Sequence, residues 1–359
     1  MGLNKNFWKN KKVLVTGHTG FKGSWLTYWL LKMGARIKGI SLPPATDPSM
    51  YNLVFTEHDL ESVFGDIRDL DFLKKAIKKF EPDIIIHMAA LTIVRESYEN
   101  PIETLQTNVM GTANILETVK TLKNVRAVLC ITSDKCYENR EWHWKYREDD
   151  PMGGWDPYSA SKGCAELVVS SYRRSFFPRE KYNSHGVAIA TARAGNVIGG
   201  GDWSRDRLIP DCIRAFSKQE EVIIRNPDAI RPWQYILDLL HGYLLLVENL
   251  YTEGTIYDGP WNFGPNDEDE KSVKSILDYL TSHWGNNVSW RLDDNHNPHE
   301  ALYLKLDSSK SRFELKWTPR LGLEEVLDSV IEWYQAHYNG DGIIREVTDR
   351  QIQNFEKLI

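Results

Sequence analysis

Apolar residues along the chain alternate between two rhythms. Residues 11–16 (KKVLVT) form a short β-rich run leading into Gly17, and residues 21–33 then carry apolar side chains at helical spacing until Gly34. This pattern predicts a strand, a glycine turn and a helix. Further strands are predicted over 36–42, closed by Pro43 and Pro44, around 62–65, over 83–88 (DIIIHM), over 125–132 and over 186–193 (GVAIATAR). Helices are predicted over 70–80, 102–122 and 158–177. The nearly continuous apolar run at 83–88 suits a parallel sheet covered on both faces. Strands alternating with helices predict an α/β fold with a Rossmann-type, doubly wound parallel sheet.

After residue 195 the texture changes, with Gly199, Gly200 and Gly201 followed by scattered Pro and Trp and segments of mixed pattern. At 359 residues the chain exceeds what one core usually organises, so a smaller C-terminal substrate-binding domain is expected beside the first. The expected division is a dinucleotide-binding domain over 1–195 and a mainly substrate-binding domain over 196–359. The two are partly interleaved, segments near 233–265 returning to the first. A formal charge of −6 offers no basic surface, so no nucleic-acid partner is expected, although local arginines and helix N-termini can hold a small anion. Cys130, Cys136, Cys164 and Cys212 form no C-x-x-C pair, which argues against a zinc site and a disulfide framework. No metal is expected, and a reducing, cytoplasmic setting is. Residues 1–12 lack a signal-peptide core and no apolar run reaches membrane-spanning length, so no membrane partner is expected either. The thirteen tryptophans read as core packing rather than as a sugar-stacking surface.

Candidate chemistry begins at residues 16–23, where Thr16 is followed by Gly17, His18, Thr19, Gly20, Phe21, Lys22 and Gly23. Glycine in such a strand-to-helix turn lets the backbone approach a pyrophosphate, and the helix N-terminus supplies N–H donors to it. The acidic residue that ordinarily grips the adenosine ribose at the end of the second strand is absent, Ile40, Ser41 and Leu42 standing there. No Arg or Lys follows in 41–48 to hold a 2′-phosphate, so NAD is favoured over NADP, with a loose grip. Asp66 and Ile67, after the third strand, suit the adenine edge.

Tyr158 and Lys162 stand one helical turn apart and project from one face. A nearby ammonium lowers the pKa of a phenol toward neutrality, making Tyr158 a candidate general base, and Lys162 can also hold the nicotinamide ribose. Ser133, Asp134 and Lys135 follow the fifth strand at the carboxyl edge, where such sheets bind ligands.

With its glycine turn and Tyr-x-x-x-Lys pair, together with residues 87–90 (HMAA), Asn108 and residues 193–197 (RAGNV), the chain resembles the extended short-chain dehydrogenase/reductase family over nearly its whole length. The resemblance implies NAD, with Ala89 beside it, a nucleotide-sugar pocket, and a homodimer formed through the helices near 102–122 and 158–177. It also implies substrate contacts from Asn108, Arg193, Asn196, Arg207, Arg231, Asn266, His299 and Tyr303, Arg231 being the best suited because a planar fork fits phosphate oxygens. Family 4,6-dehydratases carry an acidic pair after the Ser/Thr. Here Asp is kept and Glu has become Lys, which is similar to the CDP-glucose branch, as are His18 and Lys22 in the turn.

The implied activity is an NAD-dependent hydro-lyase reaction in deoxysugar and lipopolysaccharide synthesis. Tyr158 takes the O4 proton while NAD accepts the hydride from C4, Lys135 as a neutral amine takes the C5 proton, and Asp134 as an acid protonates the departing C6 hydroxyl. These roles require Lys135 to shift down and Asp134 up, as desolvation would do. A sugar-nucleotide 4-epimerase, a dTDP-glucose 4,6-dehydratase and a non-catalytic NAD sensor remain as alternatives at this point.

Overall fold

The computed structural model describes residues 2–285, 288–293, 303–340 and 343–359. Its strands are β1 (Lys12–Thr16), β2 (Arg36–Ser41), β3 (Glu61–Phe64), β4 (Ile84–His87), β5 (Ala127–Ile131), β6 (Ala188–Ala194), β7 (Asn196–Ile198), β8 (Val222–Ile224), β9 (Ile230–Tyr235), β10 (Gly259–Phe263), β11 (Glu270–Ser272) and β12 (Trp290–Leu292). Seven of them form one sheet in the order β3-β2-β1-β4-β5-β6-β10, every pairing parallel. Thr16 pairs with Ile40 and with His87, and Ile131 with Ala192, so the carboxyl ends of the central strands are level. The first six strands lie where the apolar runs predict them.

β4, β5 and β6 are buried throughout because helices cover both faces. Among the helices of the described residues are α1 (Phe21–Lys32), α2 (Leu70–Phe80), α3 (Pro101–Leu105), α4 (Gly111–Val119), α5 (Pro157–Ser175), α6 (Leu208–Ser217) and α7 (Ile236–Glu253). Val15, Ile86 and Leu129 pack with α1 and α7 on one side, and Leu14, Ile85 and Val128 pack with α2, α4 and α5 on the other. Each fully buried large aliphatic side chain contributes about 1.5–3 kcal/mol, so this double layer dominates the favourable side of folding. Trp8, Trp25, Trp29, Trp261, Trp317 and Trp333 are fully buried core residues. Trp155, by contrast, is exposed and lines the cleft described below.

The expected single helix over 102–122 is interrupted. A π-turn, Gln106–Met110, separates α3 from α4 and turns Asn108 inward. Its Oδ1 accepts from the Leu91 N–H at 2.9 Å, and its Nδ2 donates to Leu91 O at 2.9 Å and Ser161 Oγ at 2.8 Å. The extra backbone residue in the turn is therefore held by an amide that ties the loop after β4 to α5.

α5 starts cleanly. Asp156 accepts from the Ser159 N–H at 2.9 Å, and Pro157 occupies the first turn, where its missing N–H costs nothing. After β6 the chain leaves the sheet to build a three-stranded sheet in the order β11-β9-β7 and a parallel β8/β12 pair. It returns through α7, which lies across β5 and β6, and β10, the seventh strand of the large sheet. All four cysteines are free, and among the described residues no helix is long and apolar enough to cross a membrane.

Candidate active site

A cleft of about 860 Å³ opens at the carboxyl edge of the sheet, lined by the segments that follow β1 to β6 and by residues beyond them. Gly17 adopts φ +77°, and a Cβ there would lie 2.7 Å from the Ala89 nitrogen; a Cβ on Gly23 would lie 2.0 Å from the Gly17 carbonyl. Only glycine permits this closeness. The result is a bare backbone cradle at the N-terminus of α1, suited to a pyrophosphate. Gly17, Thr19, Gly20, Phe21, Lys22, Gly23 and Ala89 all line the cleft, as do Asp66 and Ile67. Thr19 Oγ1 shares a hydrogen bond with Ser41 Oγ at 2.8 Å and donates to Leu42 O at 2.9 Å, so a hydroxyl pair stands where an acidic ribose grip is absent. Arg68 bonds Asp66 at 2.6 Å and holds its carboxyl below the usual range.

His18 departs from the expected cofactor contact. Its imidazole turns under the sheet, with Nε2 2.7 Å from Ser62 Oγ, and its ring fills the space where a Cβ on Gly39 would be 2.4 Å away. Burial lowers it to about 4, so it is neutral. Lys22 does face the cleft. Burial, with Arg207 and Lys162 nearby, lowers its ammonium to about 8.

The structure brings Tyr158, Lys162, Ser133, Asp134 and Lys135 into the same cleft. The Lys162 ammonium donates to the Ile131 carbonyl at 3.3 Å, and burial lowers its pKa to about 8 against the raising charge of Glu166. Tyr158 and Ser133 both line the cleft. The expected lowering of the phenol is not seen: burial pushes it up to about 12, with Ser133 acting to lower it and the Asp134 charge adding to the rise. Ser133 Oγ donates to Asp134 Oδ1 at 2.9 Å and accepts from the Lys135 N–H at 3.2 Å. Burial also raises Asp134, against the opposing charges of Lys135 and Arg231, in the direction an acid requires.

The expected substrate contacts divide. Asn196, Arg207 and Arg231 line the cleft, Arg207 being anchored to Asp202 at 3.0 Å and to Thr92 Oγ1 at 3.1 Å. Arg193 does not reach it. Its guanidinium is buried in a fork on Glu166, at 2.8 and 2.9 Å, and also donates to Tyr137 Oη at 2.7 Å. Asn108 is engaged within the fold as described. Asn266 accepts from Arg312 at 3.1 Å away from the cleft, and Tyr303 meets Asn139 through its carbonyl and His143 through its ring. His299 lies outside the described residues.

Glu166 was not singled out from sequence, yet it accepts from Thr191 at 2.8 Å and from Thr132 besides the Arg193 fork. Its signal was its place one turn beyond Lys162 on α5. His87 carries part of the resemblance without an assigned role, and is placed between Thr16 Oγ1 at 2.7 Å and Thr112 Oγ1 at 3.1 Å. Burial lowers it to about 3.

A doubly wound sheet that carries this glycine turn and this Tyr–Lys pair in one cleft is that of the short-chain dehydrogenase/reductases. The profile of the family described as GDP-mannose 4,6 dehydratase matches residues 14–330, and the chain belongs to that family. It is 55% identical to a CDP-glucose 4,6-dehydratase of Salmonella typhimurium, across 97% of this chain and 98% of that one. A dTDP-glucose 4,6-dehydratase of Haemophilus influenzae is 26% identical, across 90% and 97%. The crystal structure of dTDP-glucose 4,6-dehydratase from Bacillus anthracis in complex with NAD superposes with a TM-score of 0.74 at 20% identity, covering 92% of this chain and 98% of that one.

Proposed function

We propose that the chain is an NAD-dependent CDP-glucose 4,6-dehydratase, converting CDP-D-glucose to CDP-4-dehydro-6-deoxy-D-glucose and water. The observation that carries this reading is the full-length likeness to the Salmonella enzyme, with Asp134 and Lys135 standing beside Tyr158 in the cleft. Bound NAD+ would supply the hydride chemistry, accepting hydride from C4 for its return to C6. The glycine cradle would hold its pyrophosphate, and Lys162 would hold its ribose. Tyr158 takes the O4 proton. The resulting ketone acidifies C5–H, and Lys135 removes that proton. Asp134, buried and therefore favouring its protonated form, gives a proton to the departing C6 hydroxyl. Arg207 and Arg231 suit the diphosphate, and Asn196 lies beside them in the cleft wall.

The protein acts as a homodimer in a reducing, cytoplasmic setting. Ile102 on α3 and Leu167 on α5 are 65% and 59% exposed, and Leu105 and Met110 near them are also exposed, as an apolar face shared between two copies requires. The free cysteines fit that compartment.

The function is tested by offering CDP-, dTDP-, UDP- and GDP-glucose with NAD and weighing the products. CDP-glucose turned over fastest, to a product lighter by one water, is the expected result. A product of unchanged mass, or preference for another base, overturns the reading.

A further inference from the structure

The proposed reaction asks two sets of groups to meet one sugar. Tyr158 acts at C4 from α5, beside Lys162, whereas Asp134 and Lys135 act at C5 and C6 from the turn Asp134–Cys136 after β5. Neighbouring carbons leave little tolerance, since a misplacement of about 1 Å can cost about a hundredfold in rate. Both flanks of that turn are tied to one buried ion pair. Before it, Thr132 Oγ1 donates to Glu166 Oε1 at 2.5 Å. After it, Tyr137 Oη accepts from Arg193 Nη1 at 2.7 Å and donates to Asn262 Oδ1 on β10 at 2.8 Å. Arg193 grips Glu166 through Nε and Nη2 at 2.8 and 2.9 Å, and its Nη1 also donates to the Glu148 carbonyl at 2.9 Å. Thr132, Tyr137, Glu166 and Arg193 are all buried, where hydrogen bonds are electrostatically stronger than in water. Glu166 stands two turns beyond Tyr158 and one beyond Lys162, so one face of α5 carries the base, the ammonium and the anchor of the turn. The backbones meet as well: a Cβ on Gly163 would lie 2.8 Å from Gly153 O and 3.3 Å from Cys136 O.

We propose that the Glu166–Arg193 pair is a positioning device which, through Thr132 and Tyr137, holds Asp134 and Lys135 in register with Tyr158 and Lys162. Thr132, Tyr137, Glu166 and Arg193 act through the turn they brace and transfer no proton. A buried ion pair is commonly no more stabilising than apolar groups of the same volume, so what this pair adds is direction. The planar guanidinium fixes its orientation by meeting both carboxylate oxygens, and that leaves Nη1 to reach the Tyr137 hydroxyl. Glu166 Oε1 in turn accepts from Thr132 and from Arg193, so a shift of either flank is felt at the other. The device rests on the reading of the chain as a 4,6-dehydratase with Asp134 and Lys135 as its acid and base.

Two variants each cut one tie with little change of shape, Tyr137→Phe after the turn and Thr132→Val before it. Both leave the Glu166–Arg193 fork in place, so both should fold, which urea unfolding checks; should one not fold, the other is read alone. CDP-glucose is mixed rapidly with NAD-loaded enzyme, and enzyme-bound NADH and product are followed together. In each variant NADH should form at the wild-type rate and then persist, because elimination is slowed by about tenfold to a hundredfold. In the steady state kcat falls by the same factor and KM is unchanged. Tyr146→Phe is the control. Its ring stacks on Tyr137 at 5.2 Å, but its hydroxyl accepts from the Arg140 N–H and donates to Asn139, so its loss should leave NADH transient. Wild-type kcat in either variant, equal slowing of NADH formation and elimination, or NADH that persists in Tyr146→Phe as well overturns the device. Product is weighed in the same samples: absence of the dehydrated sugar from wild type overturns the functional reading, whereas dehydrated sugar from wild type with no persistent NADH in the variants overturns the device alone.

Discussion

Asp134 and Lys135 are neighbours in sequence, but the turn they share treats them differently. The carboxyl is buried and pressed toward its neutral form, while the lysine is half-buried in the cleft wall. Lys135→Ala should still oxidise C4, since that step uses Tyr158, but lose the C5 base, lowering turnover by about 10² to 10⁴. Solvent deuterium at C5, followed beside enzyme-bound NADH, checks this: NADH without exchange is the expected outcome, and exchange at the wild-type rate removes Lys135 from the role. Arg193 shows what sequence conceals at this scale. The resemblance implies a substrate contact there, yet strand alternation and the Glu166 carboxylate one turn beyond Lys162 send it inward. Removing one partner of that buried fork, as in Glu166→Ala, should cost about 3–5 kcal/mol in urea unfolding, because a guanidinium is left unpaired in the core. His18 was misplaced for a related reason: the spacing of the turn shows that a residue stands there but not which way its side chain points.

The long apolar periodicities gave the strands and most of the helices at the scale of elements. They missed the π-turn at Gln106–Met110, because a single extra backbone residue leaves the apolar spacing on either side nearly unchanged, and only the partners of Asn108 reveal it. α5 begins at Pro157, one residue before the helix expected over 158–177, with Asp156 capping it. Asp156 lies two positions before Tyr158 and binds both the N–H and the hydroxyl of Ser159, at 2.9 and 2.6 Å. Asp156→Ala should therefore cost about 1 kcal/mol of stability, read by thermal or urea unfolding. It should also lower kcat more than it raises KM, since the frayed turn carries the base. Unchanged stability would show that Pro157 alone fixes the helix start.

For the whole molecule, the chain crosses from the large sheet to the smaller elements and back, so the cleft draws Tyr158 from α5 and Arg231 from β9. α7 and β10 carry the chain back to the large sheet. Contacts such as Asn266 to Arg312 depend on tertiary packing that no local pattern encodes. Two buried imidazoles give the fold an acid limit. Unfolded histidine binds a proton near pH 6.5, whereas His18 stays neutral down to about 4 and His87 down to about 3. Below pH 6.5 the unfolded chain thus binds more protons, and stability, complete above that value, is lost at about 1.4 kcal/mol per pH unit for each imidazole as pH falls toward the folded values. Urea midpoints that stay constant from pH 7 to 5 would contradict this. The central claim is that one cleft performs an internal oxidation, elimination and reduction on CDP-glucose, and its most direct test is CDP-[4-²H]glucose turned over in ordinary water. The account predicts a 4-dehydro-6-deoxy product with the deuterium at C6. Deuterium returned to C4 of a sugar that keeps its C6 hydroxyl, or deuterium released as free reduced cofactor, would contradict it.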